Sequence, residues 1–144
     1  MSKRLALIHG PNLNLLGQRD PAMYGTLTLD ELEAAVRDHA TNQGWEVTAF
    51  QSNVEGELIN ALHEAASSCV GIILNPGGYS HTSVALRDAV EAIAIPTVEV
   101  HLSNIHAREH FRRTSLTASA AEACISGLGV QGYFAAVDRF SLKR

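Results

Sequence analysis

"VGIILNPGGYSHTS", residues 70–83, runs apolar without alternation for five residues and then turns to Asn, Pro and Gly. A strand with one wet face alternates apolar and polar side chains, whereas an unbroken apolar run belongs to a strand buried on both faces, the usual state in a parallel sheet. The same pattern opens the chain at Arg4–Ile8 and recurs at Thr97–Val100, with weaker versions at Glu46–Phe50 and Glu122–Ser126. Each run except the last ends in polar turn residues: "HGPNLN" after the first, "QSNVEG" after the second, "NPGGYSHTS" after the third and "HLSN" after the fourth.

Helical spacing fills the gaps. The strongest start is "TLDE", where Thr28 and Glu31 have capping-box spacing, Leu27 and Leu32 have staple spacing, and Gln43–Gly44 forms a stop. Further helices are predicted over Glu55–Ser67, Thr82–Ala92 and Val130–Phe140. Strands alternating with such helices read as an α/β fold, a parallel sheet of about five strands with helices on both faces, in a flavodoxin-like order. No repeat, low-complexity stretch or linker interrupts the 144 residues, so they read as one domain over 1–144.

The net charge of -4 and the pI near 5.9 argue against a nucleic-acid partner, because binding along phosphates needs a clustered basic face. The apolar run after the N-terminal basic pair is too short for a signal-peptide core, and no later stretch approaches a membrane span, which predicts a cytoplasmic protein. Two cysteines, Cys69 and Cys124, sit in apolar surroundings and read as small buried core side chains.

In an open parallel sheet, ligands bind outside the carboxyl ends of the strands. The turns quoted above gather His9, Asn12, Gln51, Asn53, Asn75, His81, His101 and Ser103 around such a crevice. Taken singly, the Asn and Ser residues read as turn formers and caps; histidines at neighbouring strand ends do not, although His9 also fits a satisfied core histidine. No phosphate-binding G-x-x-x-x-G-K-[ST] is present, and the only lysines are Lys3 and Lys143, which argues against imine chemistry. "HAREH" fits H-x-x-E-H with His106 and His110 one helical turn apart, yet no third ligand has a supporting pattern, so the stretch reads as a solvated helix face rather than a zinc site.

The segment between the first strand and the first helix carries Arg19 and Tyr24 between Gly17 and Gly25. A phenol titrates near pH 10, so service as a base at neutral pH needs a depression of about three units, roughly 4 kcal/mol, of the order a nearby guanidinium supplies away from water. The other reading is that Tyr24 packs the loop down and Arg19 is solvated. Residue physics leaves both open.

Together, "GPNLNLLGQRDPAMYG", "QSNVEGELI", "NPGGYSHTSVALRDA", "EVHLSNIHAREHFRRTS" and "GLGVQGY" resemble, in order and spacing, the type II 3-dehydroquinate dehydratases over essentially the whole chain. The resemblance implies a flavodoxin-like, cofactor-free and metal-free enzyme that removes water from 3-dehydroquinate by anti elimination through an enolate, giving 3-dehydroshikimate. This reaction serves aromatic biosynthesis or quinate breakdown. By motif, Tyr24 is the base, Arg19 holds it as tyrosinate, His101 is the acid and Glu99 orients His101. Asn12 positions a water at the enolate oxygen. Asn75, His81 and Arg112 grip ring hydroxyls, Leu102 and Ser103 meet the substrate carboxylate, and Arg108 is a second flap arginine. Asp88 matches a residue that reaches the site from a neighbouring subunit, implying trimers assembled into a dodecamer. "RRTSLTASAAEA" departs from the commoner "RHHS" style. The rival readings are a flavodoxin-like module that binds a small ligand without chemistry, and a zinc hydrolase using His106 and His110.

Overall fold

The computed structural model describes residues 3–18, 20, 22 and 25–142. In chain order it has β1 (Arg4–His9), α1 (Leu29–Thr41), β2 (Glu46–Gln51), α2 (Glu55–Ser68), β3 (Gly71–Asn75), α3 (Val84–Ala92), β4 (Thr97–His101), β5 (Ala123–Ser126) and α4 (Val130–Leu142), with short 3-10 turns in the connections. The five strands form one sheet in the order β2-β1-β3-β4-β5, and every neighbouring pair is parallel. This is the flavodoxin-like order predicted from the sequence, with its direction of winding reversing between β1 and β3.

Burial explains which strands were legible. All of β3 and β4 and all but the first residue of β1 are buried; β1 and β3 are apolar runs, whereas β4 buries Thr97 and Glu99 along with its valines. The edge strands β2 and β5 are only partly covered and keep polar residues. On one face Leu5, Leu7, Ile73, Val98 and Val100 pack against Leu32 and Val36 of α1 and Tyr133, Val137 and Phe140 of α4. On the other, Ala6, Ile8, Ile72 and Leu74 meet Leu58 and Leu62 of α2 and Leu86 and Val90 of α3.

The predicted capping box forms at α1: Thr28 Oγ1 accepts from the Glu31 amide at 3.2 Å, and Glu31 Oε1 accepts from the Thr28 amide at 3.0 Å. Three expectations need correction. Helix α3 starts at Val84 rather than Thr82, because Ser83, in extended conformation, caps it by accepting from the Leu86 amide at 2.9 Å. The "HAREH" stretch is not a helix: His106 and His110 lie on two separate 3-10 turns divided at Arg108, whose backbone is extended, so the one-turn spacing of a zinc pair does not exist. Finally, Cys69 is buried as expected, but Cys124 on edge strand β5 is open to solvent on one side, with its thiol only half covered. Among the described residues no helix is long and apolar enough to cross a membrane.

Where β3 begins, a side chain on Gly71 would meet the Phe140 ring of α4: a Cβ there would lie 2.5 Å from Cε1. Gly71→Ala is therefore expected to destabilise the protein by about 1–3 kcal/mol through overpacking. Denaturant melts of the two proteins check this; equal midpoints would show that the ring moves aside at no cost.

Candidate active site

A cleft of about 150 Å³ opens outside the carboxyl ends of β1, β3 and β4, lined among others by Asn12, Asn75, His81, His101, Ser103 and Arg112. Leu102 and Arg108 also face it. A larger groove of about 610 Å³ lies between α2 and edge strand β2, but it runs along the strands rather than across their carboxyl ends. Position in the sheet and the density of donors and acid-base groups favour the smaller cleft.

Its floor is set where the loops after β1 and β3 touch. The Gly10 amide donates to the Asn75 carbonyl at 2.7 Å, and a Cβ on Gly10 would fall 2.3 Å from the Pro76 carbonyl oxygen, so only glycine lets the two backbones approach. Two residues on, Asn12 turns into the left-handed region at φ 70°, uncommon outside glycine and tolerated best by Asn and Asp. Asn53 holds that turn: its Oδ1 accepts from the Asn12 amide at 2.9 Å and from Gln51 Nε2 at 3.1 Å. The "QSN" segment thus supports the cleft from behind, and neither Gln51 nor Asn53 is among the residues lining it.

On β3, Asn75 Oδ1 accepts from the Gly77 amide at 3.1 Å and its Nδ2 donates to the Tyr133 hydroxyl of α4 at 3.2 Å. Tyr133 is fully enclosed, and burial pushes its phenol far above the ordinary range, so it stays neutral. On β4, the fully buried Glu99 faces His101, with Nε2 at 2.7 Å from Oε2. Across the cleft His81 donates Nδ1–H to the Thr114 carbonyl at 2.9 Å, and the two imidazoles stack loosely with centroids 6.3 Å apart. Arg108 Nη1 lies 3.5 Å from Ser103 Oγ, and Arg112 Nε donates to Glu109 at 3.1 Å.

The family comparison decides what this arrangement belongs to: residues 3–141 match the model for dehydroquinase class II. The chain belongs to that family. It is 55% identical to the 3-dehydroquinate dehydratase 1 of Corynebacterium efficiens over 138 residues, 96% of this chain and 91% of that one. With the 3-dehydroquinate dehydratase of Bacillus licheniformis it shares 54% identity over 136 residues, 94% of each chain. The crystal structure of the type II dehydroquinase from Propionibacterium acnes superposes with a TM-score of 0.94 at 37% identity, covering 99% of this chain and 98% of that one.

In this class II dehydroquinase, Asn12, Asn75, His81, His101, Leu102, Ser103, Arg108 and Arg112 are gathered at the cleft, and Glu99 stands directly behind His101. Asp88 is not gathered there: it lies exposed on α3, paired with Arg87 at 3.1 Å. Arg19 and Tyr24 lie outside the described residues. His9, expected at the crevice, is instead buried beneath it with Nε2 3.0 Å from Glu33 of α1, close enough for an ion pair but off-axis for a hydrogen bond. That contact, ahead of the opposing effect of partial burial, holds the Glu33 carboxyl below its usual range.

Three supporting residues escaped the sequence reading. Tyr133 had a signal, a hydroxyl-bearing aromatic on the apolar face of the last helix, but its partner on β3 is 58 positions away. Ser115 and Thr117 lie in a stretch without regular periodicity, and both hydroxyls reach Glu99.

Cys124 reaches the same carboxylate, with Sγ 3.9 Å from Glu99 Oε2. Partial burial of the thiol, and then the charge of Glu99, push it up to about 11. Thiolate is the reactive form, so Cys124 is expected to alkylate with iodoacetamide at pH 8 about tenfold more slowly than a free cysteine, because scarcity of thiolate outweighs its greater nucleophilicity. Peptide mapping by mass spectrometry over a time course measures this, and labelling at the free-cysteine rate would contradict it.

Proposed function

We propose that this class II dehydroquinase converts 3-dehydroquinate to 3-dehydroshikimate by anti elimination of water, acting without a metal or organic cofactor. The observation that carries the reading is the Glu99–His101 pair, whose imidazole lines a cleft where the other polar side chains are mainly neutral donors and acceptors. The names of the relatives support the same substrate.

In the proposed mechanism Tyr24, held as tyrosinate by Arg19, takes the proton from the carbon beside the ketone, and the electron pair moves into an enolate. Asn12, fixed in its turn by Asn53, presents a water to the developing enolate oxygen, the preorganised stabilisation that a charged intermediate requires. When the enolate collapses to the conjugated enone, the tertiary hydroxyl departs and takes a proton from His101. Glu99 engages Nε2, so the proton that leaves into the cleft comes from Nδ1. Asn75, His81 and Arg112 grip ring hydroxyls. The substrate carboxylate meets the backbone amides and hydroxyl at Leu102 and Ser103, and Arg108 closes over it.

The exposed position of Asp88, outside the cleft of its own chain, suits a residue that completes a neighbour's site, and the proposed assembly is a dodecamer built from trimers. Residues 1–144 act as one catalytic domain. The two free thiols suit a reducing cytoplasm.

Purified, metal-stripped protein mixed with 3-dehydroquinate is expected to generate the ultraviolet absorbance of the conjugated enone, and to keep doing so after borohydride treatment in the presence of substrate. Absence of turnover from folded, assembled protein would favour a binding module without chemistry. Tyr24→Phe is expected to lower kcat by about 10²–10⁴-fold, the range for loss of a positioned general base, while ligand affinity measured calorimetrically stays within a few-fold. Near-parental turnover in that variant would remove Tyr24 from the role of base.

A further inference from the structure

Glu99 is the one carboxylic acid fully buried among the described residues. An anion there persists only if its oxygens are supplied with donors. Oε2 receives His101 Nε2 at 2.7 Å, Ser115 Oγ at 2.6 Å and the weak thiol donor Cys124 at 3.9 Å. Oε1 receives Thr117 Oγ1. Of these four, only His101 can carry a positive charge. Thr117 is itself fully buried, and its hydroxyl lies 3.2 Å from that of Ser115. Ser115 Oγ in turn accepts from the Ala118 amide at 3.1 Å, which fixes the direction of its hydroxyl hydrogen toward the carboxylate.

The segment bearing these hydroxyls continues directly from the arginines over the cleft. Its first residue, Thr114, offers its carbonyl to His81, and Leu116 donates its amide to the Ser80 carbonyl at 2.6 Å. The charged and titratable groups around the pair are therefore His81 from the turn after β3, Cys124 from β5, and Arg108 and Arg112 from the covering loop.

Resting on the reading of His101 as the acid, we propose that Ser115 and Thr117 are positioning residues, a hydroxyl clamp that keeps Glu99 ionised, aims it at Nε2 and so sets the proton affinity of His101. The direction of the effect follows from charge. With the clamp intact, the deprotonated pair (Glu99 anionic, imidazole neutral) has its negative charge spread over hydroxyl donors. Removing a donor destabilises that state more than the protonated pair, where the imidazolium already compensates the carboxylate. The pair then holds its proton to higher pH and delivers it less readily. A clamp that merely satisfied a buried oxygen would alter stability and leave this titration in place.

The test uses the full chain in its native assembly. In Thr117→Val the His101 imidazole, followed by NMR in the ligand-free protein, is expected to titrate about one pH unit higher than in the parent, the size of losing one hydrogen bond to a charged group in part. Its kcat is expected to fall about tenfold with KM for 3-dehydroquinate within about twofold, the pattern of an interaction felt in the transition state. Thr117→Ser, which restores the hydroxyl, is expected to bring both values back. An unshifted His101 titration in folded Thr117→Val, or failure of Thr117→Ser to restore it, overturns the clamp. Should Thr117→Val not fold, Ser115→Ala carries the same expectation, and an unshifted titration there overturns it equally. The NMR readout needs no turnover, so an inactive parent protein would remove the dehydratase reading while the titration still decides the clamp.

Discussion

Parallel pairing of all the strands is the constraint from which the rest of the molecule follows. A parallel strand can be entered only after a crossover has carried the chain back to the sheet's starting edge, so every strand delivers its carboxyl end to the same side. The crossover helices must lie on the faces, which buries β1, β3 and β4 and leaves their interiors apolar apart from Thr97 and Glu99. Most polar chemistry thereby collects at the rim of the sheet, where loops after β1, β3 and β4 meet. The Gly10–Asn75 contact closes that rim at the point where the winding reverses. Without a glycine there, the β1 and β3 loops would stand apart and the turn that bears Asn12 would lose its footing.

One ionisable pair crosses the boundary between rim and core. Glu99 and His101 are two positions apart on β4, so their side chains leave the strand on the same face, and their mutual contact needs no loop to arrange it. Glu99 at the same time sits between the strands and the segment that follows the covering loop, which supplies Ser115 and Thr117. Burial makes such a carboxylate costly, and neutral hydroxyls rather than a lysine or arginine meet that cost. A fixed cation on Glu99 would compete with the imidazole for it, whereas hydroxyls leave His101 as the only partner of Glu99, among the described residues, able to carry a positive charge.

The central strands and the capped α1 were readable because burial on two faces and capping chemistry are local properties of the sequence. The edge strands were fainter, since Glu46, Thr48 and Glu122 answer to solvent as much as to the sheet. Most of the polar residues at the cleft were legible from one rule, that residues following a parallel strand lie at its carboxyl end. The rule placed His9 too generously: as the last residue of β1 it points down into the α1 side, where Glu33 meets it. Residues 103–121 were illegible for a different reason. Their 3-10 turns are fixed by bonds to distant elements, Leu116 to Ser80 and Ile105 to Ser126, which no short-range period encodes. There the helix-like spacing of His106 and His110 was coincidental.

The bond between Tyr133 and Asn75 ties a side chain of the cleft to the last helix of the chain. During synthesis, β1 through β4 and the loops that carry the polar residues all emerge before α4 exists. A nascent chain can therefore pair its central strands while Asn75 still lacks the hydroxyl that turns its amide, and while Leu7, Ile73 and Val100 still face water on the side α4 will cover. The cleft is in this sense completed from behind, and last: a ribosome that stalls before Val130 releases a sheet whose cleft-lining residues are present but unsupported, and with an apolar face open to association with other chains.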